Sequence, residues 1–163
     1  MKSFHKLGLA AAPLLVLGSS FVHPYGQVRQ ERSSGALLVE AEAPPEIARI
    51  VERACQNCHS QRTEWPWYSY VAPMSWMIEN DVHSARTHMN LSRWQDYTVE
   101  QRIDLLTRLG VEVRNRKMPL PRYVTMHYEA RLSDEDVQQL DSWAHRERTR
   151  VRSADAKGRT STD

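Results

Sequence analysis

Cysteine is scarce in this chain: two of 163 residues, Cys55 and Cys58, with no second cysteine pair. A structural zinc site uses about four Cys or His ligands, usually in two paired motifs, so such a site is not expected. Strand-like alternation of apolar and polar residues never runs beyond a few positions, and no internal repeat is visible. The sequence therefore predicts a single all-α domain.

An excess of charge of one sign is also missing. The formal net charge is +2, and residues 1–22 contain two lysines and no acidic residue. Without that segment the formal charge falls to 0, because the remaining 20 basic side chains equal the 20 acidic ones. A neutral domain gives no support for nucleic-acid binding.

Residues 1–22 are typical of an export signal or an uncleaved membrane anchor. A basic start with Lys2 and Lys6 precedes an apolar stretch at 7–22, which at about 16 residues is short of the roughly 20 that span a bilayer. Small residues occupy positions 18–20 near the end of this stretch, but no clear Ala-x-Ala precedes a cleavage site there. We expect a periplasmic protein, or one anchored through residues 7–22 to the outer face of the bacterial inner membrane.

The rest of the chain divides into a linker at 23–44, a domain at 45–149 and a disordered tail at 150–163 that is poor in apolar residues. Apolar periodicity and capping signals predict four helices in the domain. These helices are expected at 45–54, at about 74–89, from a Thr98–Gln101 capping box onward, and at 134–148 after Ser133. We expect the first and last of them to be the main walls around any bound cofactor.

Cys55-Gln56-Asn57-Cys58-His59 is the motif that indicates the cofactor. C-x-x-C-H is the attachment signature of c-type haem, in which each thiol forms a thioether bond with one vinyl group and the histidine binds the iron. The sequence thus predicts one covalent haem c held by Cys55 and Cys58, with His59 as proximal ligand. A redox dithiol, a short disulfide and a partial metal site remain alternatives, and a disulfide would leave His59 unexplained.

A second axial ligand must be chosen among several residues. Met118 lies after a predicted helix in a loop fixed by Pro119 and Pro121, which could hold its thioether against the haem. Met74 and Met77 are on an apolar helical face, where methionine is usually core filling. The other candidates are His83, His88 and His127, or an open coordination site.

Several further motifs extend the pattern over roughly residues 23–145: Pro24-Tyr25-Gly26, Cys55 to Ser60, Thr63-x-Trp65-Pro66-Trp67-Tyr68-Ser69, Ala72-Pro73-x-Ser75-Trp76, Asp81-Val82, Asn90-Leu91-Ser92-x-Trp94, Met118-Pro119-Leu120 and Leu132-Ser133. Together they resemble the bacterial haem-binding domain family related to cytochrome c. The resemblance implies a small exported haem protein with a cytochrome c-like helical fold, and it places that family's Met-Pro-Leu segment on Met118. Ala85-Arg86 and His127-Tyr128 depart from the family's Gly-Arg and His-Pro pairs.

Three functions are compatible with these residues. The first is an electron-transfer protein with His59 and Met118 on the iron and an unidentified redox protein as partner. The second is an enzyme or sensor with an open haem face, in which His83 or His88 would be a distal acid–base group. The third is an interaction module whose basic residues at 114–117 and 146–152 dock an acidic partner.

Overall fold

The computed structural model describes residues 15–26, 28–29, 32–33 and 35–160. Over these residues the backbone forms helices, turns and irregular segments without any strand, which confirms the all-α prediction. Residues 1–14 of the predicted export segment, and 161–163 of the predicted tail, lie outside the described residues. Across the described part, no helix combines the length and the apolar character that crossing a membrane requires.

Six α-helices follow residues 15–19, which are themselves helical. They are α1 (Pro45–Ala54), α2 (Gln56–His59), α3 (Met74–His88), α4 (Val99–Arg114), α5 (Pro121–Met126) and α6 (Asp134–Thr160). Short 3₁₀ helices occupy Trp67–Tyr70, Leu91–Asp96 and Tyr128–Ala130.

Local sequence signals set most of these boundaries. Pro45 begins α1, where its missing N–H costs nothing. The predicted capping box of α4 is present: the Gln101 amide donates to Thr98 Oγ1 at 3.3 Å, and the Thr98 amide donates to Gln101 Oε1 at 2.8 Å. At the start of α6, Ser133 accepts from the Asp136 amide at 3.0 Å, as the cap prediction required.

The main core lies where α1, α4 and α6 pack together. Ile47, Leu106, Leu140 and Trp143 are each 2% exposed or less. Gly110 of α4 faces α6, since a Cβ atom at this position would lie 2.6 Å from Asp141 Oδ1 and would displace that carboxylate.

The described residues of the segment 23–44 are irregular, as a linker would be, but several of them contact the domain. The Leu38 side chain is 4% exposed, and its amide donates to the Leu91 carbonyl at 3.0 Å. Trp143 Nε1 of α6 donates to the Glu42 carbonyl at 2.9 Å. The polar composition of this segment gave no sign of these long-range contacts.

The expected disordered tail is wrong for residues 150–160, because α6 continues to Thr160. Two contacts explain the extension: Val151 is buried at 6% exposure, and Arg150 Nη2 contacts Glu147 Oε1 at 2.6 Å. Arg150 also donates to the Glu40 carbonyl at 3.0 Å, which ties the helix to the segment before α1.

We predict that Val151→Ala lowers the free energy of unfolding by about 2 kcal/mol, because two buried carbons and their packing contacts are lost. Lys157→Ala, an exposed change on the same extension, should stay within about 0.5 kcal/mol of wild type. Urea unfolding followed by circular dichroism measures both values. Equal effects of the two changes would mean that the extension does not pack on the domain.

Candidate functional site

The C-x-x-C-H motif lies on one wall of a cavity of about 600 Å³. This volume falls within the roughly 300–1,000 Å³ typical of cofactor and ligand sites. All four predicted site residues line the cavity, namely Cys55, Cys58, His59 and Met118. Its walls are otherwise largely apolar, with Trp65, Ile78, Val82, Leu105, Leu109 and Leu120 among the lining residues.

The helices that form the walls differ from those expected. α3, α4 and residues 118–127 supply most of the lining, whereas α1 contributes only its last residue, Ala54. No residue of α6, the whole of which is described, lines the cavity. Apolar periodicity shows that a helix face is buried but does not identify its neighbour, and α6 packs instead against α4 and α1.

The buried guanidinium of Arg86 holds the motif from α3. Its Nε donates to the Ser60 carbonyl at 2.9 Å, directly after His59, and its Nη2 donates to Thr63 Oγ1 at 3.0 Å. At 8% exposure such a cation requires several acceptors. The sequence signal that indicates burial of Arg86 is its spacing on the helix. It lies at i+7 from Glu79 and i+4 from Val82, on the buried face of α3.

The two thiols are strongly disfavoured as thiolates. Burial, followed by the nearby Cys58 thiol, raises the pKa of Cys55 to about 12. Burial and the Asp81 carboxylate raise the pKa of Cys58 to about 11. Redox-active C-x-x-C pairs depend on a lowered thiol pKa, so this environment weighs against the redox dithiol alternative.

The His59 ring is fixed by a hydrogen bond to the backbone. Its Nδ1 lies 3.0 Å from the Met89 carbonyl oxygen, which can only accept, so Nδ1 carries the proton. Burial lowers the pKa of His59, which favours the neutral ring. Nε2 is then the nitrogen with a free lone pair, the form in which imidazole binds iron.

The Met118 loop is braced on both sides. Before it, Arg116 Nη1 donates to the Leu132 carbonyl at 2.7 Å, and the Met118 amide donates to the Glu112 carbonyl at 3.3 Å. After it, Arg122 Nε donates to Asp81 Oδ2 at 3.1 Å, which joins α5 to α3 beside the cavity. The predicted proline-held loop therefore also depends on Arg116, which the sequence had indicated only as part of a basic cluster, and on Arg122, which it had not singled out.

The competing histidines have different surroundings. Both ring nitrogens of His127 are engaged, Nε2 with the Tyr68 hydroxyl at 2.7 Å and Nδ1 with the Glu129 carboxylate at 3.2 Å. His83 is exposed and does not line the cavity. His88 does line it, with Nδ1 lying 2.7 Å from the Ser84 carbonyl. It is therefore the main histidine rival of Met118.

Tyr123 and Tyr68 complete this side of the cavity. Tyr68 lies in residues 60–73, a segment rich in aromatic residues and prolines that we call the aromatic loop, whereas the sequence did not single out Tyr123. The Tyr123 ring stacks on His127 with centroids 4.2 Å apart, and its hydroxyl accepts from Asn57 Nδ2 at 2.9 Å. Tyr68 reaches the same histidine from the aromatic loop. Of that loop, Trp65 and Tyr68 line the cavity, whereas Trp67 is 79% exposed. Only part of the aromatic loop therefore faces the cavity.

These residues fit a haem better than a bare metal ion. Within the described part of the chain, no three His, Cys, Asp or Glu side chains cluster as ligands for a metal ion. A porphyrin needs a large apolar cavity with one or two soft or imidazole ligands, and the chemistry of the cavity meets that need.

Comparison with known proteins also indicates a haem-binding protein. A family model described as a haem-binding domain matches residues 14–146. The cytochrome c peroxidase Ccp of Escherichia coli (strain K12) is 23% identical over 148 residues, which is 87% of this chain and 31% of that protein. The chain thus spans about a third of the curated relative that it matches. No solved structure matches it. Since the family model covers most of the chain, the protein belongs to the haem-binding domain family.

Proposed function

We propose that this haem-binding protein is an exported mono-haem c-type cytochrome that transfers electrons. The observation that carries the proposal is the common cavity of Cys55, Cys58, His59 and Met118. A bound haem would supply a one-electron change between ferric and ferrous iron. The chain's own residues attach the group, ligate it and keep water away from it.

Cys55 and Cys58 are the residues that would hold the haem covalently. The motif provides two thiols at the spacing of the two vinyl groups. In thioether formation each thiol adds across a vinyl group, so that the sulfur bonds to one vinyl carbon and the hydrogen goes to the other. No other cysteine occurs in the chain, so attachment through two thioethers accounts for all of them.

His59 and Met118 are the proposed axial ligands. The Met89 carbonyl orients the His59 imidazole and raises its basicity through Nδ1–H. The thioether of Met118 is a soft donor that favours ferrous iron and so raises the reduction potential. The two braces of the Met118 loop restrict its movement, which supports a ligand that stays in place in both oxidation states.

A peroxidase-like enzyme or a gas sensor is the second candidate. One observation favours it: the similarity to a protein named cytochrome c peroxidase. In that case Met118 would not ligate the iron, and His88 would serve as the distal acid–base group. Because this chain spans 31% of that relative, the similarity is compatible with an electron-transfer segment as well as with a catalytic one.

The third candidate, a basic docking module, has the least support. Arg114 pairs with Asp141 and Arg116 pairs with Asp134. At the other basic cluster, Arg150 is shared between Glu147 and Glu42. These three arginines, out of seven basic residues in the two clusters, are paired with acidic residues of the chain itself and add little attraction for an acidic partner.

We predict that acid–acetone extraction leaves the haem on the protein, and that intact mass rises by one haem. Cys55→Ala together with Cys58→Ala should abolish this linkage, because no other thiol is present. Met126→Ala, a change at the exposed edge of the cavity, is the control and should keep the added mass. Extractable haem in the wild-type protein would refute covalent attachment.

Met118→Ala is expected to remove the weak far-red absorption band of iron–methionine ligation in the ferric protein. It should also lower the reduction potential, since a soft ligand to ferrous iron is lost. Optical spectroscopy and redox titration measure the two effects, with His88→Gln as the matched control. The ligand assignment is wrong if His88→Gln changes the spectrum and Met118→Ala does not.

Export is tested by cell fractionation in a bacterial host that matures c-type cytochromes. We predict haem-loaded protein in the periplasm or on the outer face of the inner membrane, because an apolar segment with a basic start leads the chain. A stable haem-loaded form in the cytoplasm would contradict the prediction.

A further inference from the structure

Residues 20–29, apart from Gln27, form a strap that runs from the apolar segment onto α3; we call it the N-terminal strap. Ser20 Oγ accepts from the Ala72 amide at 3.0 Å, and the Val22 carbonyl accepts from Trp76 Nε1 at 2.8 Å. Farther along, the Val28 carbonyl accepts from Arg86 Nη1 at 2.8 Å. The strap is therefore tied to the domain at both ends.

A buried charge fixes the middle of the strap. The Glu79 side chain is fully buried, and its Oε1 lies 2.9 Å from His23 Nδ1 and 2.7 Å from Arg29 Nε. The Arg29 guanidinium also lies over the Trp65 ring at 4.2 Å and the Tyr70 ring at 4.5 Å. Detaching the strap would take both of these partners away from the Glu79 carboxylate, which is costly. The direction in which the apolar segment leaves the domain is thus set by the fold.

Large apolar side chains are exposed on two segments, namely the aromatic loop and the beginning of the strap. In the aromatic loop, Trp67 is 79% exposed, Tyr70 53% and Val71 40%. At the end of the apolar segment, Phe21 is 84% exposed and Val22 54%. The bonds of Ser20 and Val22 to residues 72 and 76 bring the two segments side by side. Contiguous exposed apolar surface of this kind marks an interaction site.

We propose that this surface, made by residues 15–22 and 67–71, rests on a lipid bilayer. This surface is continuous with the apolar stretch at 7–22. A bilayer that contains that stretch therefore also contacts Phe21 and the aromatic loop beside it. Tryptophan and tyrosine favour the membrane–water interface, where the ring is in an apolar medium and the polar atom is hydrated. The strap then holds the haem cavity at a fixed orientation to the membrane.

The proposal rests on the export and anchoring part of the proposed function, but not on the haem ligands. It predicts two contacts with lipid, a short apolar segment and an aromatic loop. A segment of about 16 residues is a marginal anchor by itself, and a second contact would make the attachment stable.

The test is hydroxyl-radical footprinting of the full chain, haem-loaded, in vesicles of phosphatidylethanolamine and phosphatidylglycerol. Tyr128 is the internal control, because it is 73% exposed and lies outside the proposed surface. The same rates measured without lipid correct for the contact between the Tyr70 ring and the Arg29 guanidinium. With rates normalised to the unfolded chain, we expect oxidation of Trp67 and Tyr70 to be several-fold slower than that of Tyr128. Equal normalised rates would overturn the proposal.

Dilution in lipid and extraction from membranes distinguish a bilayer from a second copy of the chain as the occupant of this surface. If protection of Trp67 falls as the protein is diluted in lipid, a second copy covers the surface and the proposal fails.

The double change Trp67→Ser with Tyr70→Ser should increase the fraction of protein that alkaline carbonate extracts from membranes, whereas Tyr128→Ser should not. Equal extraction of the two variants contradicts the lipid contact. A protein absent from the membrane fraction altogether would refute the anchoring itself.

Discussion

The buried guanidinium of Arg86 is the interaction on which the arrangement of the site depends. It binds the Val28 carbonyl in the strap, the Ser60 carbonyl after the motif and the Thr63 hydroxyl in the aromatic loop. The segments around residue 28 and residues 60–63, which are distant in sequence, are thereby joined to one side chain of α3. A cation at 8% exposure is stable only while its acceptors are in place, so these segments constrain one another.

The cavity combines a rigid support with a braced loop. The α1–α4–α6 core supports α4 from behind, and α3 closes the opposite side. His59 is oriented by the Met89 carbonyl at the end of α3, and the Met118 loop is held by Arg116 and Arg122. Fixed ligands suit electron transfer, because little nuclear rearrangement is needed between oxidation states.

The sequence predicted features governed by local chemistry. The bounds of α1 and the capping box of α4 follow from short-range patterns. The shared cavity of the motif and Met118 was expected from ligand chemistry, the prolines beside Met118 and the family resemblance. The sequence did not predict which helices wall the cavity, because periodicity identifies a buried face and not its neighbour. Glu79 and Arg86 break the apolar pattern of α3, and only the tertiary structure shows that they bind the strap. The length of α6 likewise depends on distant contacts of Arg150.

Binding of carbon monoxide to the reduced wild-type protein tests the central claim most directly, since it asks whether the iron has a free coordination site. We propose that His59 and Met118 occupy both axial positions. The spectrum of the dithionite-reduced protein should therefore not change when carbon monoxide is added. Rapid formation of a carbon monoxide complex would contradict it and would favour the open-site enzyme or sensor.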